Sequence, residues 1–183
     1  MIIGLSGTNS SGKDTVAEYL QGAGFAVVSL SDILRDEMRK RGIEINRENM
    51  IETGNLLEEE WGAGSLAKIA IKEYGNKRKL VISSIRKLAE IDFLKKNPDF
   101  KFIFVDALIE MRYERILKRK REGEEKITLE EFKRQEEIEM SGQGSQNLGY
   151  CKEKAEIQID NSGTLGELYH KIEGVIEKEA KLS

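Results

Sequence analysis

The residues best placed to do chemistry come first in the chain. Met1-Ile2-Ile3-Gly4-Leu5-Ser6 is an apolar run, and it leads into Gly7-Thr8-Asn9-Ser10-Ser11-Gly12-Lys13-Asp14-Thr15. Glycines at both ends of such a loop let backbone N–H groups converge on an anion, the helix that follows presents its positive end, and Lys13 adds a mobile charge for outer phosphates. ATP is the expected ligand, with GTP the other nucleotide the loop allows. Gly7, Asn9, Ser10, Ser11, Gly12, Lys13, Asp14 and Thr15 are the candidate cofactor-binding residues. The bland reading, a glycine-rich turn between a strand and a helix, leaves the closing lysine without a purpose. One position departs from the usual pattern. A Ser or Thr normally follows the lysine and gives its hydroxyl to Mg²⁺, whereas here Asp14 stands there and Thr15 comes next. A carboxylate can ligate Mg²⁺, so Asp14 is the candidate metal ligand.

Other chemistries are excluded by what the chain lacks. Cys151 is its one cysteine and His170 its one histidine, which rules out an intrachain disulfide, a Cys/His zinc cluster and a Ser-His or Cys-His pair. The formal charge of −3 is a balance of many charges of both signs, so no nucleic-acid partner is expected. No apolar run approaches the roughly 18 residues of a membrane span, and the first strand begins at residue 1. The expectation is a cytoplasmic protein with no membrane or targeting segment. Abundant Lys, Glu, Arg and Ile lean towards a thermophile, and the single proline runs against that pattern.

The elements that must position the loop can be read in order. Residues 14–21 have helical spacing with Val16, Ala17 and Leu20 on one face, and residues 25–30 form a short apolar strand. Ser31 is placed to cap a helix over 32–40, with Asp32 in its first turn. A charged helical segment over 47–60 is expected to break at Gly54-Asn55, before a helix over 65–74. A third strand covers 79–84, a helix 88–96 ends before Pro98, and a fourth strand covers 100–106. A basic helix spans 109–121, and Thr128-Leu129-Glu130-Glu131 is a capping box that opens another helix. The glycine-bearing stretch 141–149 reads as a mobile loop, followed by a strand over 156–160 and a closing helix over 164–181. Alternating strands and helices predict one α/β domain over 1–183: a three-layer P-loop NTPase fold with a five-stranded parallel sheet covered on both faces. The loop then lies at the carboxyl ends of the strands. A helical insertion at about 31–75 completes this reading, and the resemblance described next implies a short lid at about 112–127.

Three further stretches resemble the nucleoside monophosphate kinase superfamily, which includes adenylate kinases, dephospho-CoA kinases and adenylate-kinase-related proteins. Ser31-Asp32-Ile33-Leu34-Arg35 is similar to the acceptor helix of adenylate kinases. That likeness implies substrate-binding roles: Arg35 on the acceptor's phosphate, and Asp32 on its sugar, the loop or the arginine. Ser83-Ser84-Ile85-Arg86, followed by Ala89-Glu90, is similar to an Asp-x-x-Arg segment whose arginine binds the acceptor phosphate. It implies Arg86 as a substrate-binding and catalytic residue, with Ser83 where the metal-supporting acid is expected. From Asp106 onward, Arg112, Arg115 and Arg119 share a helix face by their spacing, with Arg121 and Gln135 beyond. In the superfamily this is the lid, which implies Arg115 and Arg119, with Lys13, as catalytic cations. A solvated, ion-paired helix face with Glu114 and Glu122 is the alternative.

The tail resembles dephospho-CoA kinases through Phe132-Lys133-Arg134-Gln135, Lys152-Glu153-Lys154-Ala155 and Ile159-Asp160-Asn161-Ser162-Gly163-Thr164-Leu165. There the Asn-Ser-Gly turn lies beside adenine, which implies Asn161 as a base contact; an Asx turn capping the last helix is the alternative. The Asp-x-Asp acceptor motif of those kinases is absent. Trp61 reads as packing for the insertion, or as a platform for an acceptor base, and His170 as structural or solvated. The resemblance implies phosphoryl transfer from ATP, with Mg²⁺, to a small phosphate-bearing nucleotide acceptor. Dephospho-CoA kinase activity and a slow ATPase or nucleotide-dependent switch are the alternatives, and monomer and homodimer both stay open.

Overall fold

Strand β1 (Ile2–Gly7) is buried along its whole length, as a strand covered on both faces must be. In the computed structural model, which describes residues 1–119, 127–142 and 146–180, β1 lies at the centre of a five-stranded sheet. The other strands are β2 (Ala26–Ser29), β3 (Leu80–Ser83), β4 (Phe100–Asp106) and β5 (Ile157–Asp160). Their order is β2-β3-β1-β4-β5 and every pairing is parallel. Gly4 pairs with Ile82 on one side and Phe102 on the other.

Alternation along the strands separates two core layers. Leu80, Ile82, Phe102 and Phe104 point to one face, where they meet α2 (Leu30–Lys40), α4 (Ser65–Tyr74), α5 (Leu88–Leu94) and α8 (Leu148–Lys154). Val81, Ile103 and Val105 point to the other, against α1 (Lys13–Gly22) and α9 (Leu165–Ala180). The insertion keeps a small core of its own, in which Leu34 and Met38 of α2 pack on Leu57 of α3 (Arg47–Trp61). Helices α6 (Ile109–Arg119) and α7 (Leu129–Ser141) follow β4. Among the described residues no helix is long and apolar enough to cross a membrane.

Three local expectations are corrected. Helix α3 runs through Gly54-Asn55 without a break: an isolated helical glycine costs only about 1 kcal/mol, and burial of Thr53 and Leu57 on one face offsets it. Its cap is Asn46, whose side chain accepts from the Asn49 N–H at 2.9 Å. Helix α2 begins at Leu30, so Ser31 lies in its first turn and caps nothing. The described part of 141–149 is structured: Asn147 accepts from the Tyr150 N–H at 2.9 Å and starts α8, whose Leu148 and Cys151 are fully in the core. The Thr128–Glu131 capping box forms with both reciprocal bonds. Arg121, Glu122 and the rest of the expected lid loop lie outside the described residues.

Gly64, between α3 and α4, has φ +77°, and a Cβ there would stand 2.6 Å from the Ala89 carbonyl oxygen at the head of α5. This contact fastens the insertion beside the carboxyl edge of the sheet. Gly64→Ala is expected to cost more than the roughly 1–2 kcal/mol of a left-handed conformation alone. Gly24→Ala, at φ +88° with open space around it, carries only that conformational cost. Urea denaturation of both variants checks this, and equal losses would remove the Gly64 contact from the account.

Candidate active site

The phosphate loop joins β1 to α1, so its shape follows from two fixed ends. Gly12 has φ +93° and Ser10 φ +60°, conformations that turn the backbone inward. Helix α1 begins at Lys13 with no side-chain cap, and the first N–H groups of any helix lack an intrahelical acceptor. The hydroxyls of Ser10 and Ser11 are also buried without a partner. Lys13 is largely buried and its ammonium lies 2.6 Å from the exposed carboxylate of Asp14. The loop thus offers donors and one cation, and its only acid is beside that cation.

What holds the loop comes from β4, α6 and β5. Asp106, at the carboxyl end of β4, accepts from the Thr8 hydroxyl at 2.7 Å, the Ala107 N–H at 2.9 Å and the Lys152 ammonium at 2.7 Å. Burial opposes ionisation of Asp106, yet the bonds from Lys152, Thr8 and Ala107 hold its carboxyl below the ordinary range. Arg112 is buried, with its Nε on the Ala107 carbonyl at 2.7 Å, an ion pair to Glu136 of α7, and a 3.4 Å bond to the Asn9 carbonyl. Arg115 donates to the carbonyls of Ser10 at 3.3 Å, Ser11 at 3.4 Å and Asn161 at 2.7 Å. Asn161, just past β5, donates its side-chain amide to the Ser11 carbonyl at 2.8 Å.

These contacts bear on two readings. The Asn161 amide, for which the resemblance implied a base contact, braces the loop backbone from a buried position. Its nitrogen would be 2.3 Å from a Cβ at position 12, which adds to the φ of +93° in favouring glycine there. Arg112, expected in the lid face, is committed to Glu136 and backbone carbonyls as a brace. Arg119 stands at the end of α6, the last described residue before 120–126. Glu114 pairs with Lys118 at 3.7 Å on the outer, solvated side of that helix.

On the other side of the loop, the ends of β2 and β3 are linked by the Ser29 and Ser84 hydroxyls, 3.1 Å apart. Ser84 has φ +63°, and the chain then places Arg86 at the rim. The Arg86 and Lys87 N–H groups both donate to the buried carboxylate of Glu90, at 2.9 and 3.1 Å. Burial pushes that carboxyl above its ordinary pKa. The Arg86 carbonyl accepts from the Asn147 N–H at 3.0 Å, and its guanidinium bonds Gln146 and lies 3.8 Å from Glu139. Arg35, on the exposed side of α2, pairs with Asp32 at 2.7 Å. Ser83 is buried at the end of β3. Cys151 is a core residue, its thiol pushed up to about 11 by burial. Trp61 is partly exposed with the Lys72 ammonium 4.7 Å from its ring centre, and His170 is solvated.

The arrangement fits a nucleotide's phosphates: inward-turned backbone, a helix start without a cap, two unpartnered hydroxyls and Lys13. For a divalent cation the fit is partial. Among the described residues no three His, Cys, Asp or Glu gather, and Asp14 is the one carboxylate in the loop. That is enough for Mg²⁺, which is commonly held by one or two carboxylates together with substrate phosphates. Asp106, Glu90 and Lys152 lie in stretches quoted for their resemblance but carried no role of their own there, and Gln146 was not singled out from the sequence. Asp106 carried a signal, an acid ending a buried strand at the ligand edge; Gln146 lies in a segment with no motif.

A family model described as an AAA domain matches residues 6–133. The UPF0200 protein of Thermococcus gammatolerans is 31% identical over 188 residues, covering 97% of this chain and 95% of that protein. The UPF0200/UPF0201 protein of Archaeoglobus fulgidus is 32% identical over 189 residues, covering 98% of this chain. The chain spans 56% of that relative's length. Among solved structures, TT1252 from Thermus thermophilus has a TM-score of 0.65 at 22% identity, covering 97% of both chains. A shikimate kinase from Acinetobacter baumannii in complex with shikimate has 0.60 at 19%, covering 97% of this chain and 93% of that one. A dephospho-CoA kinase from Campylobacter jejuni has 0.55 at 17%, covering 97% and 96%. At these identities the likeness is one of fold, and it agrees with the P-loop kinase architecture read from the sequence.

Because the Asp106 carboxyl is held below its ordinary range, its contribution to stability is present above the unfolded pKa, near 4, and is lost as pH falls through the folded value. Asp106→Asn is expected to lower stability by about 1–2 kcal/mol at neutral pH. The gap to the unchanged protein should close as pH falls below about 4. Thermal melts from neutral to acid pH check this; a gap that stays constant would show that the carboxylate's charge is not what the loop uses.

Proposed function

The chain belongs to the AAA-domain family and to the UPF0200 proteins, and from that premise we propose that it is an ATP-dependent kinase acting on a small, phosphate-bearing nucleotide. The observation that carries this reading is the distribution of cations along one sheet edge. Lys13 follows β1, Arg86 follows β3 and Arg35 lies on the helix after β2, so the donor loop has two arginines on its β2–β3 side. Two arginines beyond the donor loop suit a second phosphate-bearing substrate.

On this reading the loop N–H groups and Lys13 hold the β- and γ-phosphates, and Arg86 and Arg35 turn the acceptor's phosphate towards the γ-phosphorus. An acceptor oxygen bonds to that phosphorus as the bond to the β-phosphate oxygen breaks, and ADP leaves. Bound Mg²⁺ would supply neutralisation of phosphate charge, with Asp14 as the chain's ligand. A phosphate dianion is already a deprotonated nucleophile, so the transfer needs positioning and charge rather than a general base. A hydroxyl acceptor, as in the dephospho-CoA alternative, would need a base. The acids beside the two acceptor-side arginines, Asp32 and Glu139, are each paired with one of them instead.

Incubation of the full chain with ATP, Mg²⁺ and a pooled library of nucleoside monophosphates and dephospho-CoA, read by mass spectrometry, tests the proposal. The expected result is ADP together with one monophosphate heavier by a phosphoryl group. Phosphorylated dephospho-CoA would favour the hydroxyl reading, and ADP with free phosphate alone would favour the switch. Arg86→Ala is expected to lower kcat/KM for the acceptor about ten- to hundredfold, with the KM for ATP little changed. Asp14→Ala is expected to weaken ATP binding more with Mg²⁺ than without it in calorimetric titrations. Equal affinities for variant and unchanged protein under both conditions would remove Asp14 from the metal site.

A further inference from the structure

Beside Arg86 lies a cleft of about 360 Å³ that the phosphate chemistry does not use. Asn55 and Glu58 of α3 line it, together with Lys87, Leu88, Ala89 and Gln146, which lies just before α8. Arg86 is at its rim, since the Arg86 guanidinium bonds the Gln146 side chain and the next residue in the chain is Lys87. The volume is at the small end of ligand clefts, enough for a ring system and too small for an extended carrier. Its charges are balanced: Lys87 and Glu58 pair at 3.0 Å, and the remaining polar groups are amides. A second phosphate therefore has no unbalanced cation to meet there, whereas a neutral ring with donors and acceptors on its edge does have partners.

We infer that this cleft receives the base of the acceptor nucleotide and that the Glu58–Lys87 pair selects guanine. The inference rests on the kinase reading given above. A carboxylate has about four lone-pair sites and an ammonium three donors, so a pair that uses one of each keeps capacity for a ligand. Side by side, Glu58 and Lys87 present acceptor, acceptor and donor. The Watson–Crick edge of guanine presents the complement: the 2-amino group and N1–H as donors and O6 as acceptor. Adenine and cytosine each show one donor group, and uracil one N–H between two carbonyls, so none matches both oxygens of the carboxylate. Leu88, partly exposed at the cleft, gives a ring an apolar surface. Asn55 and Gln146 supply amides for the remaining edge. Arg86 on the phosphate and Glu58 on the base would then fix one nucleotide at both ends.

Calorimetric titration of the full chain with GMP, AMP, CMP, UMP, dephospho-CoA and, separately, ATP distinguishes this inference from the reading beneath it. GMP is expected to bind tightest. Glu58→Gln should weaken GMP about ten- to hundredfold and leave AMP and ATP affinities within twofold, the latter confirming the fold. Arg86→Ala should weaken every monophosphate alike. If GMP binds no better than the other monophosphates, or if Glu58→Gln leaves it unchanged, the base assignment is overturned while the kinase reading stands. If ATP binds and no monophosphate does, the kinase reading falls and takes this inference with it.

Discussion

On the proposed reading most of the loop's N–H groups go to an anion, so other groups must hold the loop in place. That constraint organises the molecule around residues 7–13. The loop's carbonyls and hydroxyls do the anchoring: Thr8 through Asp106, Asn9 through Arg112, Ser10 through Arg115, and Ser11 through Arg115 and Asn161. Donors from α6 and from Asn161, just past β5, satisfy acceptors of the loop, and within it the Ser11 N–H donates to the Thr8 carbonyl at 3.2 Å. Two of the anchors are guanidiniums, so the same contacts that fix the backbone place positive charge behind it. Asp106 reduces that charge, and Lys152 and Arg112 in turn surround Asp106. The strand order makes this possible, because β4 next to β1 and β5 next to β4 put both sets of anchors on one side.

The side proposed for the acceptor is built by a different rule. Arg86 has its main chain fixed in both directions, its N–H by Glu90 and its carbonyl by Asn147, while among the described residues its guanidinium reaches a glutamine and a carboxylate. Burying Glu90 is costly, which its raised pKa reflects, and two backbone N–H bonds offset part of that cost. A rigid backbone under a lightly held cation suits a residue that must exchange partners. Asn147 does two jobs, ending the α7–α8 connection on Arg86 and capping α8, so the position of the arginine depends on a helix far along the chain.

The strands and the donor loop were legible because their signals are local. A buried parallel strand is an apolar run, and a phosphate loop is a run of glycines ending in lysine. The five strands emerged within a residue or two of expectation, and the capping box at Thr128 formed as read. Helix α8 was hidden because it is two turns long and carries a glycine, so its burial of Leu148 and Cys151 comes from tertiary packing rather than from periodicity. The arginine spacing of α6 showed a common face and could not show what that face meets. Arg112 meets Glu136, some 24 positions away, and Arg115 meets a loop about a hundred positions away. Asn161 was singled out through the resemblance, and its bond to the Ser11 carbonyl could not be read there for the same reason. A motif names the residue, and only the sheet order decides which backbone lies opposite.

The pairing of Lys13 with Asp14 gives the loop an electrostatic property that the usual Ser or Thr would not. The Lys13 ammonium is 2.6 Å from the Asp14 carboxylate, and each offsets the other's charge. Phosphates that take the ammonium leave the Asp14 charge beside their own. Asp14 is mostly exposed, so water and salt screen part of that repulsion, and a divalent cation removes the rest. On the proposed reading, nucleotide and Mg²⁺ therefore bind with coupled affinity: each lowers the electrostatic cost the other meets. By linkage the coupling is reciprocal, so a cation that improves ATP binding must itself be bound better when ATP is present. The acid in the loop then acts as a condition on binding, favouring the metal-loaded nucleotide over the free one.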